Sequence, residues 1–515
     1  MTERTMRPDS LWRIPDFRTL FTATALTQLG TNVGYVAVPL VAVEALDAGP
    51  GQAGLLATLS TLAFLLIGLP AGAWVDRMHH RRVLIVADLV KAALYASVPL
   101  VWWLGGLTLG QLYAVALLTG AATVFFDVGS QSVLPGLVGR EHLVDANSAV
   151  VGLMAVGNVA GRGAGGLLVQ LLTAPLAIAV TALSHLGSAL RLTALRLTAL
   201  RPTTLRPTML RPTALRRTPA DDVPVHPDTP TPTPTFTPGL GAQIAEGLRH
   251  VLGNPELRAL AATASLNNLG SQLVNTLLPV LFVRELNLPA WALGLFWAVG
   301  GVGILLGSRC ARPVSARLGD GRTLALAGLC LAPAGLLVPM IGGGPWLLLA
   351  GAGWLLVSLK TGMDNVLGVS LRQRMTADHL LGRMNATFRF LLFGALAIGS
   401  ALSGLLGELL GLRTTLWLGG AVLATAFLPV YLSPLRTRRR PSAAPVSTAT
   451  NAPTSTAPTS PAPTSPAPTS PALTGTAPTG TAPTSPAPTS PPRYRAPAAS
   501  PAPGPDADGR CAPAR

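Results

Sequence analysis

Long uncharged runs alternate along this chain with short bursts of charge. No charged side chain occurs from Gln52 to Val75, and from Val83 to Leu104 only Asp88 and Lys91 interrupt. Each run exceeds the roughly 20 residues that carry a helix across the hydrocarbon layer of a bilayer. The same pattern recurs along the chain and gives about twelve segments: 19–44, 52–75, 83–104, 108–130, 147–172, 174–190, 257–283, 291–311, 323–341, 345–367, 385–409 and 413–433. We number them span one to span twelve. Segmentation of this kind separates a polytopic all-α membrane protein from a soluble domain with an apolar core.

Composition agrees. Of the 515 residues 49% are hydrophobic and only 12% charged, whereas soluble domains carry roughly twice that charge. A net charge of +16 would suggest nucleic acid in a soluble protein, but the arginines are placed by another rule. Arg13 and Arg18 precede span one, Arg77, Arg81 and Arg82 follow span two, and Arg140 follows span four. A dense set from Arg191 to Arg217 follows span six, Arg312 and Arg317 follow span eight, Arg374 and Arg383 follow span ten, and Arg438 to Arg440 follow span twelve. The opposite loops offer Arg284 and Arg413. The positive-inside bias then predicts cytoplasmic termini, which an even number of spans also requires. The expected location is the plasma membrane, with the lipid bilayer and a small-molecule substrate as partners, no nucleic acid, and a monomeric state.

The predicted organisation is a six-helix half (1–190), a cytoplasmic Arg/Pro/Thr-rich linker (191–245), a second six-helix half (246–434) and a disordered tail (435–515). The linker repeats a five-residue unit from Arg191, RLTAL then RPTTL; five is not a helical period, and Pro202, Pro207 and Pro212 would break a helix. It reads either as an arginine strip against anionic headgroups or as an incidental low-complexity connector. The tail's APTSP-like repeats bury no core. An amphipathic lead-in helix is expected over Ala242 to Leu252. The halves share a register: Asp127 ends span four and His142 follows fifteen residues later, while Asp364 ends span ten and His379 follows at the same spacing. Internal duplication of this kind places a cavity at the interface of the repeats and predicts alternating access.

Motifs sharpen the picture. Gly72-Ala-Trp-Val-Asp76-Arg77-Met-His-His-Arg81-Arg82 resembles the loop signature of the major facilitator superfamily, G-x-x-x-D-R-x-x-R-R. Leu11-Trp12-Arg13 leading to Gln28-Leu29-Gly30, Glu246-Gly247-Leu248-Arg249 with Asn254-Pro255, and His379-Leu380-Leu381-Gly382-Arg383 resemble the transmembrane secretion effector branch, which contains enterobactin-type siderophore exporters and macrolide efflux proteins. The resemblance covers nearly all of 11–434 and implies proton-coupled export of a drug-like molecule, siderophore or secondary metabolite. An importer of a small organic solute on the same fold, or a transporter-like sensor, are the alternatives. In this reading Gly72, Asp76, Arg77, Arg81 and Arg82 form a conformational latch at the cytoplasmic rim. The second-half stretch Ala316 to Arg322 has alanine in place of the aspartate.

Span five carries Gly157-Asn158-Val-Ala-Gly161-Arg162-Gly163-Ala-Gly165-Gly166, which resembles the exporter signature G-x-x-x-G-P-x-x-G-G with Arg162 in place of proline. Gly157, Gly161, Gly165 and Gly166 permit close helix contact. A cation inside a span is a functional-site hypothesis by default, set against a buried structural ion pair. Asp127 is a candidate proton carrier or, with Asp364, part of a symmetric structural pair. Lys360 and Asp364 share a helix face, as do Asp88 and Lys91, which predicts local pairing. Gln28, Asn32, Asn158, Asn268 and Gln272 supply uncharged polar capacity. No phosphate loop, metal-ligand cluster or nucleophile–base set is present; the chain reads as a non-enzyme without cofactor, driven by an ion gradient.

Overall fold

Prolines and loop residues set where the helices begin. Span two opens on Pro50 and span ten on Pro345, and span seven opens on Pro255 behind Asn254, whose Oδ1 accepts from the Glu256 amide at 2.9 Å. Proline at a first helical position costs no hydrogen bond, because that N–H has no intrahelical partner. The computed structural model describes residues 8–195 apart from Asp76, Arg140 and Glu141, and residues 240–437 apart from Asp378 and His379. They fall within one unit, Met1–Pro445. Most of the repeat linker, the tail beyond 437 and Asp76 of the expected latch lie outside the described residues.

The helices follow the predicted spans with ends shifted by up to eight residues, and spans one, seven and twelve finish in a short π turn or separate helix. Span one is Pro15–Leu40, span two Pro50–Val75, span three His80–Trp103, span four Leu109–Val138 and span six Ala174–Thr193. Span five runs through Leu143–Val156, a π-helical turn at Gly157–Gly161, and Arg162–Leu172. In the second half come Pro255–Asn275, Ala290–Leu318, Asp320–Leu331 continued by a 3-10 segment, Pro345–Arg374, Leu381–Leu409 and Leu412–Thr425 continued by Leu428–Leu432. The lead-in helix is Leu240–Gly253, tied to span eleven by Glu246 and Arg383 at 2.5 Å.

Among the described residues ten helices are long and apolar enough to cross a membrane. The other two predicted spans, five and seven, are helical but fall short for physical reasons. Span five is interrupted by its π turn, and span seven is diluted by Asn267, Asn268, Ser271, Gln272 and Asn275. Both lie where the two sets of six helices meet.

That meeting is tightest at the end away from the arginines. Span two packs on span eleven, with Gly404 so placed that an added Cβ would stand 2.8 Å from the Gly54 Cα. Span five packs on span eight, where a Cβ on Gly166 would stand 2.9 Å from the Gly294 Cα. Only glycine lets backbones approach this closely, and in hydrocarbon such packing replaces the missing hydrophobic drive. Polar contacts join the halves there too: Asp47 with Arg284 at 2.6 Å, the Gly51 amide donating to Glu408 at 3.0 Å, and the Ala290 amide donating to Gln170 at 3.2 Å. At the arginine-rich end, the ion pairs Asp320–Arg374 and Glu246–Arg383 each run within the second half.

Candidate functional site

Below the closed end lies a cavity of 350 Å³ between the halves. Spans one, two and three supply Tyr35, Phe64, Tyr95 and the hydroxyls of Thr31, Ser60 and Thr61, and span four Thr119 and Thr123; spans seven and eight supply Gln272, Asn275 and Trp297. No charged side chain belongs to this lining among the described residues. The aromatic groups are held in place across the interface. Trp297 Nε1 donates to Asn275 Oδ1 at 2.8 Å, and Tyr35 meets the Trp297 ring edge-on at 5.0 Å. Such a wall presents flat apolar faces with a few hydrogen-bonding groups, the usual make-up of an organic-ligand site.

Arg162 stands one layer behind. Its guanidinium lies 4.4 Å over the Tyr35 ring, and its Nε is buried without a hydrogen-bond partner. The cation therefore acts on the cavity through an aromatic ring that does line it, an arrangement stabilising by about 0.5–2 kcal/mol. The π turn at Gly157–Gly161 immediately precedes Arg162 and supplies a local distortion of the helix without proline; π turns inside α-helices concentrate at functional positions.

A second cavity of 260 Å³ opens toward the arginine-rich end, with Asp127 on one wall and Arg389 of span eleven on the other. Phe64 lines both cavities and stacks on Phe393 of the second half at 4.6 Å and 13°. The two spaces are thus separated by an aromatic pair contributed half by half. Sequence reading singled out Asp127 and passed over Arg389, although a charge inside predicted span eleven was the signal that marks it.

Two buried charge clusters flank these spaces. In the first half Asp88 contacts Lys91 at 2.8 Å and His185 at 3.2 Å and accepts from Thr27 at 2.8 Å and Ser188 at 2.6 Å. Lys91 also sits 4.5 Å over the Phe126 ring. In the second half Lys360 pairs with Asp364 at 2.7 Å beside a 150 Å³ cavity.

The sequence profile of the Major Facilitator Superfamily matches residues 20–366, more than half of the chain. The chain belongs to that superfamily. The multidrug efflux pump Tap of Mycobacterium tuberculosis is 27% identical over 432 residues, covering 82% of this chain and 94% of the pump. The enterobactin exporter EntS of Citrobacter koseri is 26% identical over 443 residues, covering 84% and 95%. Among solved structures, a bacterial homologue of the iron transporter ferroportin in an inward-facing state superposes with TM-score 0.62 at 17% identity, covering 83% of this chain and all of that one. The nucleoside transporter NupG gives 0.61 at 10%, covering 81% and 99%. The structural likenesses establish the fold. The chain is a multi-pass membrane transporter for a small molecule, and not an enzyme, by its superfamily.

Within this major facilitator fold the expected site residues separate into groups. Gln272 lines the central cavity and donates to Ser400 at 2.8 Å. Asn268, Lys360 and Asp364 line the second-half cavity, and Asp127 the vestibule shared with Arg389. Asn32 is buried, donates to the Gln28 carbonyl at 2.8 Å and packs against Gly161. Gly157 lies against Gln28, Gly165 against Val33 and Val36, and Asn158 sits in the π turn. Gly72 falls inside span two. Arg77 and Arg82 are exposed, and Arg81 donates to the Leu192 carbonyl at 3.3 Å and to Thr193, closing the C-terminus of span six. In the alanine-substituted second loop, Asp320 is buried, accepts from Ser315 and pairs with Arg374 at 2.8 Å; an acid at a different position holds that rim together.

Proposed function

We propose that this transporter is a plasma-membrane exporter of a drug-like, siderophore or secondary-metabolite compound, working as a monomer by alternating access and driven by a proton gradient. The observation that carries the reading is the aromatic, uncharged 350 Å³ cavity between the halves, in a chain related along most of its length to a multidrug efflux pump and a siderophore exporter. A cavity of this kind favours flat, largely apolar molecules with a few hydrogen-bonding groups and does not demand a formal charge.

With both termini on the cytoplasmic side, as the arginine distribution argues, the closed end is the exterior and the vestibule containing Asp127 and Arg389 faces the cytoplasm. Substrate then enters past Phe64 and Phe393, and the exterior contacts between spans two and eleven open to release it. Asp127 is the carboxyl placed to exchange a proton with the cytoplasmic vestibule, and Gly72, Asp76, Arg77, Arg81 and Arg82 act at the same rim in closure.

The test is accumulation of a fluorescent aromatic dye in a pump-deficient bacterial host expressing the full chain. Lower accumulation that rises when a protonophore collapses the gradient is the expected result. Accumulation equal to that of the vector control across a panel of planar dyes and macrolides would remove the export reading, and greater accumulation would favour import.

A further inference from the structure

Two of the tyrosines that line the central cavity are each faced by a basic group that stays out of its lining. The Arg162 guanidinium lies 4.4 Å over the Tyr35 ring, and the His185 imidazole stacks on Tyr95 at 5.7 Å and 11°. Arg162 forms no ion pair among the described residues, so its charge is not cancelled locally. Asp88, the acid in contact with His185, is matched by Lys91 at 2.8 Å, and a histidine carries no negative charge in either protonation state. At the closed end Asp47 is paired with Arg284 and Glu408 accepts from the Gly51 amide. Glu44, more than two turns beyond Tyr35, is exposed. The aromatic wall therefore has an unbalanced cation behind it and no acid in its lining among the described residues.

That combination decides a sign. An aromatic wall on its own suits ammonium compounds, because ring faces attract cations. Here a face of Tyr35 is already engaged by a cation. A ligand ring on the other face of Tyr35 would stand roughly 9 Å from the guanidinium, one ring spacing farther on. At that separation and an effective dielectric constant of about 20, a unit charge on the ligand changes affinity by about twentyfold. Cations lose by this amount, anions gain, and neutral molecules are indifferent.

We propose that Arg162 sets the charge preference of the central cavity, so that the compounds carried are neutral or carboxylate-bearing planar aromatics and lipophilic cations are rejected. Arg162 touches no substrate and acts through Tyr35, on the reading that the central cavity is where substrate binds. It stands where the exporter signature has proline, so the preference is particular to this chain.

The test measures binding of three naphthalenes of similar shape, 2-naphthoate, 2-naphthamide and 2-naphthylmethylammonium, to the purified full-length protein in lipid nanodiscs. Equilibrium dialysis gives the affinities, with binding to empty nanodiscs subtracted. In the unmodified protein the carboxylate and the amide are expected to bind more tightly than the ammonium, and Trp297→Leu should weaken all three. In Arg162→Gln the ammonium should bind about tenfold more tightly and the carboxylate about tenfold more weakly, with the amide changed by less than about threefold. Arg162→Lys keeps the charge and should restore the original order. A merely structural role for Arg162 would move all three probes in the same direction, and that result would overturn the assignment. So would ammonium binding as tight as that of the amide in the unmodified protein, a result that needs no variant to fold. Unchanged binding in Trp297→Leu would place the probes outside the cavity and also overturn it. Absence of binding by all three probes removes the aromatic substrate site along with the preference, whereas binding with an unchanged charge order in Arg162→Gln removes the preference alone.

Discussion

The two halves treat buried charge in opposite ways. In the first, Asp88 is completely enclosed and contacted by Lys91, His185, Thr27 and Ser188, which come from spans one, three and six. In the second, Lys360 is equally buried but its partner Asp364 remains 20% exposed on a cavity wall. Spacing along the helix is nearly the same, three residues in one and four in the other, so what differs is the surroundings. A charge satisfied on every side welds helices together. A carboxylate left partly exposed on a cavity wall keeps a route to solvent.

The sharpest way to break this comparison is to remove each acid in turn. Asp88→Ala strands the Lys91 ammonium in the interior, and loss of one member of a buried pair costs about 3–5 kcal/mol; thermal unfolding of the purified protein, or its yield in membranes, should show a severe defect. Asp364→Ala should cost less, about 1–3 kcal/mol, because the space vacated by Asp364 joins the adjoining cavity and admits water to the stranded Lys360 ammonium. Equal losses would erase the distinction.

A second contrast sets the closed end against the vestibule. Gly404→Val forces a branched side chain into the Gly54 backbone, so export should fall at least about tenfold while the folded protein persists, a barrier change of about 1.4 kcal/mol. Phe393→Ala at the vestibule removes a ring stack of about 0.5–1.5 kcal/mol and should change export by only a few fold. Arg162→Lys keeps charge but loses the planar face on Tyr35, and should raise the apparent KM for an aromatic substrate a few fold with little change in maximal rate. Arg81→Ala should be smallest, about 0.3–1 kcal/mol from the C-terminus of span six, read as a slight fall in unfolding temperature.

Features decided within one helix or one loop could be read from the sequence. Apolar runs gave span positions, the Leu240–Gly253 helix was expected over Ala242 to Leu252, and the pairs Asp88–Lys91 and Lys360–Asp364 followed from helical spacing. Features decided between distant segments could not. Tyr35 meets Trp297 and Asp127 faces Arg389 across more than 250 residues of chain, and no local rule brings such partners together. The shared register of Asp127 and Asp364 is visible, yet their environments diverge: Asp364 pairs with a lysine one turn away on its own helix, while Asp127 shares a cavity with Arg389 of the other half. Arg162 stands out in the sequence as a cation inside predicted span five; that its plane rests on Tyr35 depends on how span five packs on span one.

The central claim, that the halves part and rejoin around the aromatic cavity, is tested most directly at the closed end. Asp47 and Arg284 lie on opposite halves with their side chains 2.6 Å apart. In a background with Cys310, Cys330 and Cys511 replaced by serine, Asp47→Cys with Arg284→Cys can be bridged by a short, reducible thiol crosslinker. Dye efflux should stop on crosslinking and return when the bridge is reduced, with either single cysteine unaffected. Undiminished efflux from the crosslinked protein would contradict the account.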